Sequence, residues 1–274
     1  MGEARLFDLT VFFYALSICF YFLDFVHRQR RLNRWGYRLL AVVWFLQLLV
    51  LLIRGLSKMG LPVFSLYDSL FFYAWLLVGV SLVINARYHL DFFLFFCNLL
   101  GFSLLTFSWL VRSQAGDSPL TDWLVSDMLL IHITLALLAY VAFSCSFVLS
   151  AMCLLQYDLL KRKVWNEWLR RLPSLEQLDR FAFQLNAIGF PLFLAAVILG
   201  IFWALLKLEH SIWLDPKVLT SLLVLALYGY ALFLRLRGSG WNQRRFAWWN
   251  VLSFSTVILN LILSASVYSF HRWV

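Results

Sequence analysis

Charged residues are scarce in this chain, and their scarcity excludes a water-soluble fold. Only 14% of the 274 residues are Asp, Glu, Lys or Arg, whereas 63% are hydrophobic and 19% are aromatic. Soluble domains average about 25% charged residues, which they need to cover their surface. With a mean hydropathy of +0.81, the sequence predicts an integral membrane protein.

Cysteine is also sparse, and its spacing argues against thiol chemistry. The four cysteines are Cys19, Cys97, Cys145 and Cys153. All four fall inside apolar runs, and none forms the CxxC pair that redox enzymes and c-type haem attachment sites use. We therefore expect them to be small packing residues within the membrane.

The chain lacks the alternation of apolar and polar residues that barrel strands require. Its apolar runs instead approach the roughly 20 residues that a helix needs to cross a bilayer. The first run has no small-residue cleavage site and is followed by HRQRRLNR, which indicates a retained span. The predicted fold is therefore all-α, a polytopic membrane bundle of eight transmembrane helices. The predicted spans are residues 6–26, 37–57, 69–86, 90–110, 127–156, 183–206, 218–236 and 247–270.

Three expectations concern the organisation of these spans. Residues 1–110 would form an N-terminal four-helix half and residues 111–274 a second half, within one continuous membrane domain. The fifth run is long enough to tilt or to extend out of the membrane as helix. The segment RKVWNEWLRRLPSLEQLDR, residues 162–180, is basic and amphipathic. This pattern favours a helix lying on the inner leaflet over a docking site for a cytoplasmic partner.

The distribution of lysine and arginine predicts the orientation in the membrane. Most of these residues fall in alternate loops, at residues 28–38, 87, 161–180 and 235–245. Because basic loops stay in the cytoplasm, both termini are expected on the outer side of the cell (cytoplasmic) membrane. The net charge of +9 then faces anionic membrane lipid, so no nucleic acid is needed to explain it.

Histidines near the outer side are the most informative polar residues. His132 lies about five residues inside the outer end of the fifth predicted span, where a neutral imidazole needs a hydrogen-bond partner or a metal. Chemistry alone favours an interhelical hydrogen bond. His271 ends the eighth predicted span on the same side, either as an interfacial anchor or as the second of two imidazoles that ligate haem iron. A third outer histidine, His210, lies in the loop HSIWLDPK.

Arg54 interrupts the run LLVLLIRGL near the end of the second predicted span. It is expected either to extend to the outer headgroups or to pair with Asp68, which could otherwise cap the third helix. A haem site would also need aromatic walls and cations for its carboxylates. Aromatic candidates on the outer side are Tyr67, Trp109, Trp203 and Trp213, and cationic candidates are Arg54, Lys207, Lys217 and Arg272.

Several segments in order resemble the cytochrome c assembly family of polytopic membrane proteins. They are PVFSLYDSLFFYAW, LIHITLALLAYVAF, RLPSLEQLDRF, IGFPLFLAAVILGIFWA leading to WLDPK, and ALYGYALFLRLRGSGWNQRR. The resemblance covers most of the chain after about residue 50. With its eight spans and compact loops, among them the short outer loop LEHSIWLDPK with one tryptophan, the chain looks most like the HemX branch, whose members are associated with haem biosynthesis.

The resemblance implies a haem site and its residues. His132 and His271 match the two histidines that hold haem iron, and His210 is the first alternative to His271. Other matched positions line the loop or precede the third span; they are Trp203, Trp213, Asp215, Pro216, Lys217, Arg54, Tyr67, Asp68 and Ser69. The implied cofactor is haem b, held without a covalent bond by two histidines.

The function expected from these features is non-enzymatic haem handling. The protein would bind haem near the outer face and transfer it, or sense it and so regulate haem biosynthesis. Its partners would be haem, membrane lipid, and haem-biosynthesis enzymes or cytochrome c assembly proteins. The alternatives are a polytopic transporter of another substrate, which should carry charged groups near the membrane midplane, and the membrane subunit of a haem-attachment lyase.

Overall fold

The computed structural model describes residues 2–27, 29–58, 65–112, 127–163, 171–207, 213–238 and 242–263. These residues form eight long α-helices and no strand, and each helix is long and apolar enough to cross a membrane. The all-α prediction with eight spans is therefore confirmed. The helices are α1 (Gly2–His27), α2 (Arg30–Lys58), α3 (Leu66–Tyr88), α4 (Asp91–Arg112), α5 (Asp127–Lys161), α6 (Leu175–Lys207), α7 (Pro216–Leu236) and α8 (Gln243–Leu263).

The chain divides into two compact units, Met1–Gly116 and Asp117–Val274. In the first unit, α1 packs against α2 and α4, and α3 packs against the same two helices. A hydrogen-bonded chain joins three of these helices. The Tyr14 hydroxyl of α1 donates to Asn98 of α4 (3.1 Å), which donates to Ser81 of α3 (3.2 Å). That the units are halves of one continuous domain stays a prediction.

The second unit is also a ring of four helices. α5 packs against α6 and α8, and α7 packs against the same two. Phe143 of α5 and Tyr228 of α7 stack across the interior, with ring centroids 3.9 Å apart. This unit contains His132 and most of the residues that the sequence assigns to a haem site.

Buried asparagines hold the second unit together. The Asn250 amide of α8 donates to the hydroxyls of Ser146 (2.6 Å) and Ser150 (2.7 Å) on α5, and Asn186 of α6 donates to Asn250 (3.1 Å). Lipid tails are as apolar as the helix surfaces, so helices gain little from apolar contact alone. Polar bonds of this kind therefore specify which faces meet.

The ends of α5 and α6 correct one expectation and confirm another. α5 has 35 residues, about 52 Å of helix at 1.5 Å per residue, so the fifth run is indeed longer than the membrane requires.

The predicted surface segment 162–180 is wrong in its second part, because residues from Leu175 onward belong to α6. Ser174 caps α6 by accepting from the Gln177 amide (3.2 Å) while its own amide donates to the Gln177 side chain (3.3 Å). Asp179 is buried and accepts two hydrogen bonds from Arg235 of α7.

Candidate functional site

His132 lies in the second turn of α5 and contacts α6. Its Nδ1 atom is 2.6 Å from the carbonyl oxygen of Ala196. A carbonyl oxygen only accepts hydrogen bonds, so Nδ1 carries the proton. The neutral ring then presents an unprotonated Nε2, the state in which an imidazole ligates a metal. The expected interhelical hydrogen bond is confirmed. It uses Nδ1, and Nε2 takes no part in it.

The ring of His132 lies directly against the backbone of α6 at Gly200. A Cβ atom at position 200 would be 2.5 Å from His132 Cε1 and 2.7 Å from Nδ1. Cβ atoms essentially never come within 3.0 Å of a non-bonded heavy atom elsewhere in the protein. Glycine at this position is therefore a condition for the observed placement of the imidazole.

Trp203 lies one turn beyond Gly200 on the same face of α6. The bonds from His132 to Ala196 and from Ser146 to Ala182 show that α5 and α6 are antiparallel. Trp203 thus lies beside the start of α5, nearer the N-terminal end of that helix than His132. Its side chain is 8% exposed, and its Nε1 is buried with no hydrogen-bond partner in the part of the chain that the structure describes.

The start of α7 brings further predicted residues to this end of the unit. Asp215 caps the helix, accepting from the amides of Lys217 (2.8 Å) and Val218 (3.3 Å). Trp213, by contrast, is 56% exposed. Arg235 near the end of α7 donates to Asp179 near the start of α6 (2.8 Å), and the two helices pack together, so the start of α7 lies near the end of α6. His132, Trp203 and Lys217 therefore belong to one end of the second unit, and Asp215 has a structural role there.

Two residues that sequence reasoning missed fix the start of α7. The Asn260 amide of α8 donates to the Lys217 carbonyl (3.2 Å) and the Ser221 hydroxyl (2.8 Å). Its oxygen accepts from the Tyr140 hydroxyl of α5 (2.5 Å). The signal that could have found Asn260 is an amide side chain inside a predicted span, because an amide at membrane depth needs partners.

The predicted residues Arg54 and Tyr67 lie in the first unit. Arg54 donates to Asp68 (2.7 Å) and to the Tyr67 hydroxyl (2.7 Å), and its guanidinium carbon is 4.2 Å from the centre of the Tyr67 ring. Arg54 is 7% exposed and Asp68 is 3% exposed. The expected pairing of Arg54 with Asp68 is confirmed. The N-cap of α3 is Ser65, which accepts from the Asp68 amide (3.0 Å), so the alternative in which Asp68 is the cap is wrong.

His271 and His210 lie outside the described residues, and their roles stay predictions. Among the residues that are described, no group of three or more His, Cys, Asp or Glu side chains is arranged to hold a metal ion. Of the predicted iron ligands, His132 is the one that lies within the described residues.

Comparison with known proteins places the chain in a family. The family model described as Cytochrome C assembly protein matches residues 63–271. The chain belongs to the cytochrome c assembly family. This match includes every predicted site residue except Arg54, which precedes it, and Arg272, which follows it.

Relatives of this cytochrome c assembly protein fall into two groups. Protein HemX of Bacillus subtilis (strain 168) is 41% identical over 268 residues, which cover 98% of this chain and 97% of the relative. Protein HemX of Brevibacillus brevis is 41% identical over 278 residues and covers 100% of both chains. Cytochrome c biogenesis protein CcsA of Chlamydomonas reinhardtii is 27% identical over 216 residues, 76% of this chain and 59% of that protein. The predicted resemblance, including its HemX branch, is confirmed.

Proposed function

We propose that this multi-pass membrane protein of the cytochrome c assembly family handles haem b in the cytoplasmic membrane. His132 and His271 ligate the iron near the outer face, without a covalent bond to the ring. The observation that carries this proposal is the bond from His132 Nδ1 to the Ala196 carbonyl (2.6 Å). It orients the imidazole and leaves Nε2 as the ligand atom, in the arrangement that protein metal sites use.

The surroundings of His132 fit the chemistry of haem. Haem is a broad apolar ring with two carboxylates, and its iron accepts one nitrogen ligand on each face. Trp203 offers an aromatic wall and a buried N–H donor that has no partner among the described residues. Lys217, in the first turn of α7 at the same end of the unit, offers a positive charge for a carboxylate.

The same site suits transfer or sensing, without a reaction catalysed by the protein. Non-covalent ligation by two imidazoles holds haem reversibly, so it can pass to or from a second protein. The partners proposed are haem-biosynthesis enzymes or cytochrome c assembly proteins, in keeping with the printed names of the relatives, Protein HemX and Cytochrome c biogenesis protein CcsA.

The visible spectrum of protein purified from haem-replete cells tests the proposal. We expect a Soret band and the sharp bands of low-spin, bis-imidazole haem. His271→Ala should lose that low-spin spectrum, whereas His27→Ala, at the exposed end of α1, should keep it. A colourless protein that gains no Soret band when haem is added contradicts haem handling, and an unchanged spectrum in His271→Ala contradicts that ligand.

Trp203→Phe separates the aromatic wall from the N–H donor. An unsatisfied buried donor costs about 1–3 kcal/mol, so phenylalanine should leave the haem-free protein as stable as the parent or more stable. Haem should bind more weakly, because the variant lacks the donor that haem would satisfy. Thermal unfolding in detergent and haem titration measure the two effects. A fall in stability with unchanged haem affinity would show that Trp203 serves packing alone.

A further inference from the structure

We infer that Gly200 is the positioning residue that sets the tautomer and the aim of His132. The inference rests on the proposed function, because it explains how this chain would present Nε2 to iron. Gly200 has no side chain, and His132 is its neighbour on α5. It acts by leaving room for the imidazole against α6.

The geometry of an α-helix explains why glycine is needed at this position. The Ala196 carbonyl already accepts the amide of Gly200 within the helix, four residues on, and its second lone pair receives His132 Nδ1. Helical side chains tilt toward the N-terminus and cover the preceding turn. A side chain at position 200 would therefore lie over the Ala196 carbonyl, where the imidazole now lies.

The consequence of an added methyl group follows from the distances. The Cβ of an alanine would be 2.5 Å from Cε1, 2.7 Å from Nδ1 and 3.2 Å from Nε2 of His132. These are atoms of a rigid ring, so the whole imidazole must move and cannot relieve the clash by bending its tip. As the ring moves away, the Nδ1 bond to Ala196 is lost. Nothing then fixes the proton on Nδ1, and the direction of Nε2 changes.

Gly189 provides a matched control on the same face of α6. It also packs against α5, where an added Cβ would be 2.8 Å from Phe143 Cε1 and 3.1 Å from the Ala142 Cβ. Alanine at 189 therefore strains the same interface, three turns of helix away from position 200, without touching an imidazole. A comparison of the two variants separates helix packing from the positioning of His132.

The experiment compares Gly200→Ala with Gly189→Ala by haem titration and visible spectroscopy. Changes in groups that orient a metal ligand typically weaken binding about 10- to 100-fold. We expect such a loss, with loss of the low-spin spectrum, for Gly200→Ala alone, while Gly189→Ala keeps the parent spectrum even where its thermal midpoint falls further. Equal losses in both variants, or a Gly200→Ala protein with parent affinity and spectrum, would overturn the inference.

A second readout does not depend on haem. Nitrogen-15 NMR of haem-free protein with labelled histidine, with His132→Ala used for assignment, reports which ring nitrogen carries the proton. The parent should show His132 protonated on Nδ1, and Gly200→Ala should show a mixture of tautomers. If the parent binds no haem but passes this test, the proposed function fails and the positioning role stands. A parent protonated on Nε2, or an unchanged tautomer in Gly200→Ala, contradicts the positioning role itself.

Discussion

Replacing His132 with alanine should remove the low-spin bis-imidazole spectrum and lower haem affinity by at least about tenfold, the scale on which groups around a metal site act. The fold should survive, because the Ala196 carbonyl keeps its bond within α6 and no buried group loses its only partner through this change. Haem titration and visible spectroscopy of the purified variant measure the effect. His132 is thus expected to matter far more to the spectrum than to stability.

The control for this prediction is His27→Ala, which removes an exposed histidine of α1. It should match the parent in spectrum, haem content and thermal midpoint. An His132→Ala protein that keeps the low-spin spectrum would show that the iron ligands lie elsewhere in the chain. In that case the hydrogen bond to Ala196 is the whole role of His132.

Replacing Asp68 with alanine should lower the stability of the protein more than any other substitution proposed for it. Arg54 and Asp68 are both buried and lie 2.7 Å apart. Removing one member of a buried ion pair leaves an uncompensated charge and costs about 3–5 kcal/mol in proteins. The Tyr67 hydroxyl still accepts from Arg54 but does not neutralise it. Unfolding of the variant in detergent, followed by circular dichroism, measures the loss.

The double variant Arg54→Leu with Asp68→Leu is the matched control. Because it removes both charges, it should be more stable than Asp68→Ala and close to the parent, as apolar replacements of buried ion pairs often are. A loss below about 1 kcal/mol for Asp68→Ala, the range of exposed pairs, would contradict the account of this pair as buried. So would a double variant less stable than the single one.

The spans could be predicted because apolar length is a local property of the sequence. A run of about 20 apolar residues must form a helix in lipid, whatever it packs against. The start of α6 was missed because its first turns, from Leu175, carry charges that resemble a surface helix. Asp179 pairs with Arg235 of α7. This ion pair shows that the start of α6 packs against α7.

Contacts between helices could be predicted from the sequence only where the two contacting residues are close along the chain. Arg54 and Asp68 are 14 residues apart, near the facing ends of two successive helices, so their pairing could be expected. His132 and Ala196 are 64 residues apart, and a backbone carbonyl leaves no mark in the sequence. The importance of Gly200 follows only from its distance to the imidazole, since glycines also occur in the spans for packing alone.

The electron paramagnetic resonance spectrum of the purified ferric protein tests the central claim most directly, because it reports the iron ligands themselves. The account predicts a low-spin signal of bis-imidazole type that is absent from His132→Ala. A high-spin signal in the parent, or a low-spin signal that His132→Ala leaves unchanged, would contradict it.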